Sequence, residues 1–157
     1  MLVLNRTLKI CGLPCQVLTP AIWSFLYTIQ NAFVTHEKIT KKDIDVFLYI
    51  LHTGFKNIDE DLYQKSKDFC IKKGISYIEA EADIYHLIYL SFRALEMFPQ
   101  VLLSDEKNRF DTDWLTKICS MVCAMTNYKS DYVMYECSLT ECFYYIVQFA
   151  RQKDTKN

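Results

Sequence analysis

The stretch Leu18–Gly54, LTPAIWSFLYTIQNAFVTHEKITKKDIDVFLYILHTG, reads as two capped amphipathic helices joined by a short loop. Thr19 stands where a helix N-cap belongs. Pro20 takes the first helical position, where a missing N–H removes nothing the helix would use. Ile22, Phe25, Leu26, Ile29 and Phe33 then fall on one face. Thr40-Lys41-Lys42-Asp43 has the form of a capping box, with Asp in place of the preferred Glu. Ile44, Phe47, Leu48, Leu51 and Phe55 continue the stripe, and Gly54 is placed to end it in the left-handed conformation. The loop between the helices carries Asn31-Ala32-Phe33-Val34. A loop has less reason than a helix face to hold Phe33 and Val34, so both are candidate partner contacts.

Upstream, Thr7–Ile10 and Cys15–Leu18 alternate polar and apolar residues around a Gly12-Leu13-Pro14 break, the pattern of a short β-hairpin within residues 1–18. Two strands alone are marginal in water, so the hairpin must lie on a helix. Downstream, Asp59 opens a third helix with Leu62, Ser66, Phe69 and Cys70 inward and Gly74 as its stop. Ser76-Tyr77-Ile78-Glu79 is a capping box for a helix running to Phe98, before Pro99. The part from Ile84 to Phe92 is apolar almost all round, as in a helix that is central to a bundle or lies in an interface. Central burial is the expectation. A polar loop spans Ser104–Arg109, and Asp111 or Thr112 caps a helix with Trp114, Leu115, Ile118, Cys119, Val122 and Cys123 on one face. A short segment, Asp131–Glu136, precedes the capping box Ser138-Leu139-Thr140-Glu141 and a last helix to Ala150. Arg151–Asn157 reads as a polar, frayed tail. The expected fold is mainly α: one domain over residues 1–150, a bundle of six to seven helices with the N-terminal hairpin.

Composition supports that class. Only three glycines and three prolines occur among 157 residues, too few for the many tight turns of an all-β chain. Net charge is −1 with the basic residues scattered, which disfavours nucleic-acid binding by phosphate neutralisation. No uninterrupted apolar run approaches the ~20 residues that cross a bilayer, and residues 1–10 are too short an apolar stretch for a signal peptide. Seven cysteines in such a chain are expected as free thiols in a reducing cytoplasm.

The residues offer little chemistry. Cys119/Cys123 and Cys11/Cys15 are each four apart, yet a structural zinc site needs four ligands, usually at closer spacing within a pair. Buried thiols behaving as small apolar residues are the simpler reading. His36, His52 and His86 are isolated, and no HExxH pair, Gly-rich phosphate loop or GxSxG elbow is present. Glu79, Glu81 and Asp83 occupy the first turns of a helix, where negative charge suits the macrodipole. No catalytic residue, metal or cofactor is therefore expected. The positive signal is the 11 tyrosines, large contact surfaces with a polar tip. Tyr132, Tyr135, Tyr144 and Tyr145 cluster late, beside Tyr128. Tyr85, Tyr89 and Phe92 lie on the apolar helix.

The order of elements resembles small helical proteins of tailed bacteriophages, known as tail assembly chaperones or tail-associated proteins. The likeness rests on the hairpin, the Leu18-Thr19-Pro20 helix entry and the Asn31-Ala32-Phe33-Val34 loop. It also rests on the Thr40-x-x-Asp43-Ile44-x-x-Phe47-Leu48-x-Ile50-Leu51 helix, on Asp131–Glu136, and on Tyr144-Tyr145 with Ala150-Arg151. Ala32 departs from the pattern, which has Pro at that position, and residues 56–127 match nothing in it. The resemblance implies a non-catalytic protein-binding module that holds apolar segments of a tail protein. Its site would be the cytoplasm of an infected bacterium or the virion, with homo-oligomers among the forms it takes. The competing expectation is a small phage- or plasmid-encoded inhibitor or adaptor that binds a host protein. Neither involves nucleic acid or membrane.

Overall fold

The computed structural model describes residues 8–55, 58–97 and 112–155. Strands β1 (Leu8–Ile10) and β2 (Leu13–Cys15) pair antiparallel with Lys9 opposite Pro14. Cys11 and Gly12 form the turn with φ of 51° and 76°, the double positive φ that matches strand twist in a two-residue hairpin. Leu13-Pro14 therefore belongs to the second strand, and the turn is Cys11-Gly12 where Gly12-Leu13-Pro14 was expected. The hairpin is fastened on both sides: Cys11 N–H donates to Asp83 Oδ2 (3.0 Å) and Gln16 N–H to the Leu51 carbonyl (2.8 Å).

Eight α-helices follow among the described residues. They are α1 (Pro20–Thr28), α2 (Ala32–Thr35), α3 (Lys41–Thr53), α4 (Leu62–Lys73), α5 (Tyr77–Phe92), α6 (Thr112–Thr126), α7 (Ser130–Tyr135) and α8 (Leu139–Thr155). A 3₁₀ helix, Arg93–Met97, continues α5. The molecule is mainly α with a short hairpin, as expected. The ends of the expected Phe98 helix and the Ser104–Arg109 loop, with the Asp111 cap, lie outside the described residues. The last helix continues to Thr155, so Arg151–Thr155 is helical where a frayed tail was expected.

Two local details, the first and third that follow, correct the sequence reading, and the second bears it out. First, the loop carrying Phe33 and Val34 is the single-turn helix α2. Gln30 turns the chain with φ 58°, and Asn31 then caps α2, its Oδ1 accepting from Phe33 N–H at 3.1 Å. Second, the Thr40 box is complete despite its aspartate: Thr40 Oγ1 accepts from Asp43 N–H (3.5 Å), and Asp43 Oδ2 accepts from Thr40 N–H (2.9 Å). Third, Gly54 ends α3 with φ 72° and ψ −168°. This is not the left-handed helical well but an extended mirror-image conformation essentially confined to glycine.

The central helix is α3, not α5. Every residue from Ile44 to Leu51 is buried, Asp45 included. α4, α5, α1 and β2 surround it. Its two apparently polar positions are matched from neighbouring elements: Asp45 Oδ1 accepts from the Tyr77 hydroxyl (2.7 Å), and the Tyr49 ring meets Phe69 edge-on at 5.7 Å. α5 instead buries one face, Ala80, Ile84, Leu87 and Ser91, and exposes the other. The second half of the chain completes the core. α6 packs on α8, α7 bridges α6 and α1, and the 3₁₀ helix lies on α8. Leu139 N–H donates to the Leu18 carbonyl (2.8 Å), tying the start of α8 to the strand-to-helix connection.

Candidate partner-binding surface

The surface is built where α6 ends. Asn127 takes the left-handed conformation (φ 60°) that stops the helix, and Thr126 Oγ1 accepts from Tyr128 N–H at 3.2 Å. Two residues later α7 begins. Val133, fully buried, anchors this short helix, and its neighbours Tyr132 and Tyr135, three apart, present one exposed side. Ser138 Oγ then accepts from Glu141 N–H (3.0 Å) to start α8, which carries Tyr144 and Tyr145.

The rings form two groups, one from each end of α7, that together make an aromatic strip. Tyr128 meets Tyr132 at 4.9 Å and Tyr145 at 6.3 Å, and Tyr145 meets Tyr144 at 6.0 Å. From the other end of α7, Tyr135 meets Phe55 at 5.8 Å, and Phe55 meets Phe25 at 5.9 Å. These are edge-on contacts, the arrangement in which aromatic pairs attract beyond their buried area. Tyr128, Tyr132, Tyr135 and Tyr144 are exposed, with Lys129, Asp131 and Glu136 exposed around them. The hydrogen bond with Tyr128, then burial, raises Tyr145 well above its ordinary range, and the neighbouring Cys137 and burial raise Tyr132. The rings give the surface an apolar body, with the phenol hydroxyls as donors and acceptors.

The residues anticipated from sequence divide three ways. Tyr132, Tyr144 and Tyr145 come together around Tyr128, while Tyr135, at the other end of α7, meets Phe55. Tyr85 and Tyr89 are exposed on α5, and among the described residues no ring contact joins them to that group. Phe33 and Val34 are buried: Phe33 packs edge-on against Phe47 at 5.3 Å and under the Tyr85 ring at 5.1 Å. Phe92 is partly buried and packs against the core, its ring tilted on Trp23 (4.8 Å) and Phe143 (4.9 Å). These three are corrected from partner contacts to packing residues, because a one-turn helix and a helix end each had an apolar neighbour to cover them. Phe25 and Phe55, which sequence reading assigned to buried stripes, belong to the strip. Their signal was only their position at the edge of each stripe.

All seven cysteines are free. Burial raises Cys119 to about 11, and Cys70 and Cys137 to about 12, while Cys142 rises further. Cys11 and Cys15 shift the same way, with burial again the first cause. A nucleophilic or metal-binding thiol needs the opposite shift. Among the described residues no group of three or more His, Cys, Asp or Glu side chains is arranged to hold a metal ion. Asp83 of the acidic cluster is used as the acceptor for Cys11 N–H. His52 Nδ1 lies 3.0 Å from the Pro14 carbonyl, which can only accept, so that nitrogen carries the proton. No described helix is long and apolar enough to cross a membrane. Comparison with known protein families, with curated proteins and with solved structures finds no match in any of the three.

Proposed function

We propose that the chain is a non-catalytic protein-binding module whose working surface is the aromatic strip on α7 and α8. The resemblance of its two ends directs the proposal to phage tail assembly, with an apolar, helical segment of a tail protein as the bound element. The observation that carries the reading is the exposed run Tyr135, Tyr132, Tyr128 and Tyr144, with Tyr145 half-buried among them. Rigid, two-torsion aromatic side chains give contact area at low entropic cost, and their hydroxyls satisfy polar groups at a groove rim. An amphipathic helix laid along such a strip would place its i, i+3, i+4 and i+7 anchors between the rings. The raised thiols support the absence of cysteine catalysis in this reading.

The test is co-expression with tail proteins of tailed phages, followed by size-exclusion chromatography. A soluble complex with one of them, lost in the double variant Tyr132→Ala/Tyr135→Ala but kept in Tyr63→Ala on α4, supports the proposal. A complex indifferent to the double variant overturns the surface. Binding of a host protein in preference to every tail protein overturns the assembly role and favours the inhibitor reading.

A further inference from the structure

A nearly buried carboxylate lies beneath the aromatic strip. Glu141, in the first turn of α8, is 7% exposed. Ser138 Oγ accepts from its N–H and so fixes its backbone at the helix start. Its side chain shares a helix face with the residues three and four further on, Tyr144 and Tyr145. Before α8 the chain folds under Tyr132, whose carbonyl accepts from Glu136 N–H (2.9 Å) and Cys137 N–H (3.0 Å). The Cys137 thiol, a weak donor, is what the carboxylate meets inside the fold. Among the described residues no N–H, hydroxyl or cation pairs with it. Sealed side-chain oxygens without a partner are confined, among the described residues, to Thr35, so the Glu141 carboxylate reaches the surface. It also acts on the phenols. After the Tyr128 hydrogen bond and burial, Glu141 adds to the rise of Tyr145; after Cys137 and burial, it adds to that of Tyr132. A carboxylate so far out of water costs free energy unless a cation or strong donors meet it.

We propose that Glu141 and the rings around it receive an arginine side chain of a partner, the guanidinium set between the Tyr132 and Tyr145 rings and paired with the carboxylate. The inference rests on the strip being the working surface and adds what the partner must carry. Two features select a guanidinium. The first is ring geometry. Tyr128 stands at 65° to Tyr132 and 78° to Tyr145, so the three rings present faces on different planes instead of stacking. Such faces attract a cation, and a planar guanidinium both lies on a ring and meets two carboxylate oxygens. The second is charge. Asp131, Glu136 and Glu141 lie on this surface, with Lys129 before α7. Arg151, Lys153 and Asp154 come ten or more residues along α8, about 15 Å or further from Glu141 along the axis. The packed neighbours do not reverse this balance. α1 is uncharged, α6 and the 3₁₀ helix each carry one acid and one base, and α5 carries Glu79, Glu81 and Asp83 against no lysine or arginine.

The probe is N-acetyl-arginine amide, titrated to about 50 mM into the full isotope-labelled chain, with N-acetyl-citrulline amide as the neutral isostere. The expected result is saturable chemical-shift change at Tyr128, Tyr132, Glu141 and Tyr145, with a dissociation constant on the order of millimolar and citrulline about tenfold weaker. Glu141→Gln weakens arginine binding about tenfold, while Glu136→Gln, at an exposed carboxylate on the same surface, changes it less than about twofold. Glutamine serves at this capping position as glutamate does, so α8 keeps its start, which circular dichroism checks. The citrulline comparison uses the unaltered chain and stands whether or not a variant folds. Lack of saturation, equal binding of citrulline, shifts spread over every acidic surface, or arginine binding unchanged in Glu141→Gln overturns the inference. No tail protein enters this experiment. Arginine binding in a chain that forms no tail-protein complex upholds the inference and refutes the assembly role; a tail-protein complex indifferent to Glu141→Gln does the reverse.

Discussion

Replacing Asp43 tests the junction that gives the first half of the molecule its shape. One carboxylate serves two elements. Oδ1 accepts from Ala32 N–H of α2 at 3.0 Å; Oδ2 accepts from Thr40 N–H at 2.9 Å and from the Thr40 hydroxyl at 2.7 Å. The Asp43 carbonyl also accepts from Asn31 Nδ2 at 3.0 Å, while Asn31 Oδ1 caps α2. α2 and the start of α3 are therefore joined by a closed set of polar contacts around a buried Ala32 and Asn31.

Asp43→Ala leaves the Ala32 N–H without its acceptor, which costs about 1–2 kcal/mol for a donor removed from water. Loss of the reciprocal cap costs about 1 kcal/mol more, and loss of a negative charge in the first turn about 0.5 kcal/mol. The expected total is about 3 kcal/mol. Asp43→Asn keeps an oxygen for Ala32 N–H but turns an amide donor toward Thr40 N–H, so about half of that loss is expected. Urea unfolding followed by the fluorescence of buried Trp23 measures both, with an unchanged m-value as the check that compactness is preserved. The double variant with Asn31→Ala is expected to be non-additive by about 1 kcal/mol, because the two side chains serve one junction. An Asp43→Ala variant within about 0.5 kcal/mol of wild type, or no more destabilised than Asp43→Asn, refutes the reasoning.

Four further outcomes are expected. Gly74→Ala loses about 1 kcal/mol in the same assay, because Gly74 ends α4 at φ 64° with open space where a Cβ would stand, so the cost is backbone strain alone. Val133→Ala loses about 2 kcal/mol and loosens α7, while Tyr144→Ser at the exposed strip stays within about 0.5 kcal/mol. Stability falls in alkali. The folded thiols of Cys70, Cys119 and Cys137 hold their protons to about 11 or 12 against an ordinary 9.0, so the unfolded chain binds fewer protons from pH 9 upward; their contribution is complete below pH 8 and declines as pH climbs to those values, which urea midpoints from pH 7 to pH 10 will show. Thiol titration without denaturant modifies at most the half-exposed Cys11 and Cys123 rapidly, and the buried five only after unfolding.

Local punctuation was legible because it acts within four residues. Thr19-Pro20, Thr40–Asp43, Ser76–Glu79 and Ser138–Glu141 each start a helix where the sequence places one. α2 was not legible: four residues are too few for periodicity, and its existence depends on Asn31 capping while its amide reaches the Asp43 carbonyl twelve residues away. The strip was half legible for a similar reason. Tyr128 to Tyr145 are close in sequence, so their shared surface shows in composition, whereas Phe25 and Phe55 join them only through the packing of α7.

The exchange of roles between α3 and α5 shows why apolar periodicity alone misplaces a central helix. Periodicity counts the residues that want to leave water and is silent on polar residues that are matched elsewhere. Asp45 interrupts the apolar pattern of α3 and for that reason marks a solvent face, but the Tyr77 hydroxyl from α5 supplies its hydrogen bond, so burial leaves no orphaned group. α4 then covers α3, with Cys70 approaching the Asp45 carbonyl and Phe69 the Tyr49 ring. With α4 on α3, the outer face of α5 has no described helix over it, and a second apolar stripe, Ile78, Tyr85 and Tyr89, remains at the surface. Burial of large apolar side chains stabilises by about 2 kcal/mol each, so three of them at a surface mark either a contact made with another molecule or a solubility burden. The surface on α7 and α8 sets four exposed tyrosines, Tyr128, Tyr132, Tyr135 and Tyr144, beside the half-buried Tyr145, Phe25 and Phe55.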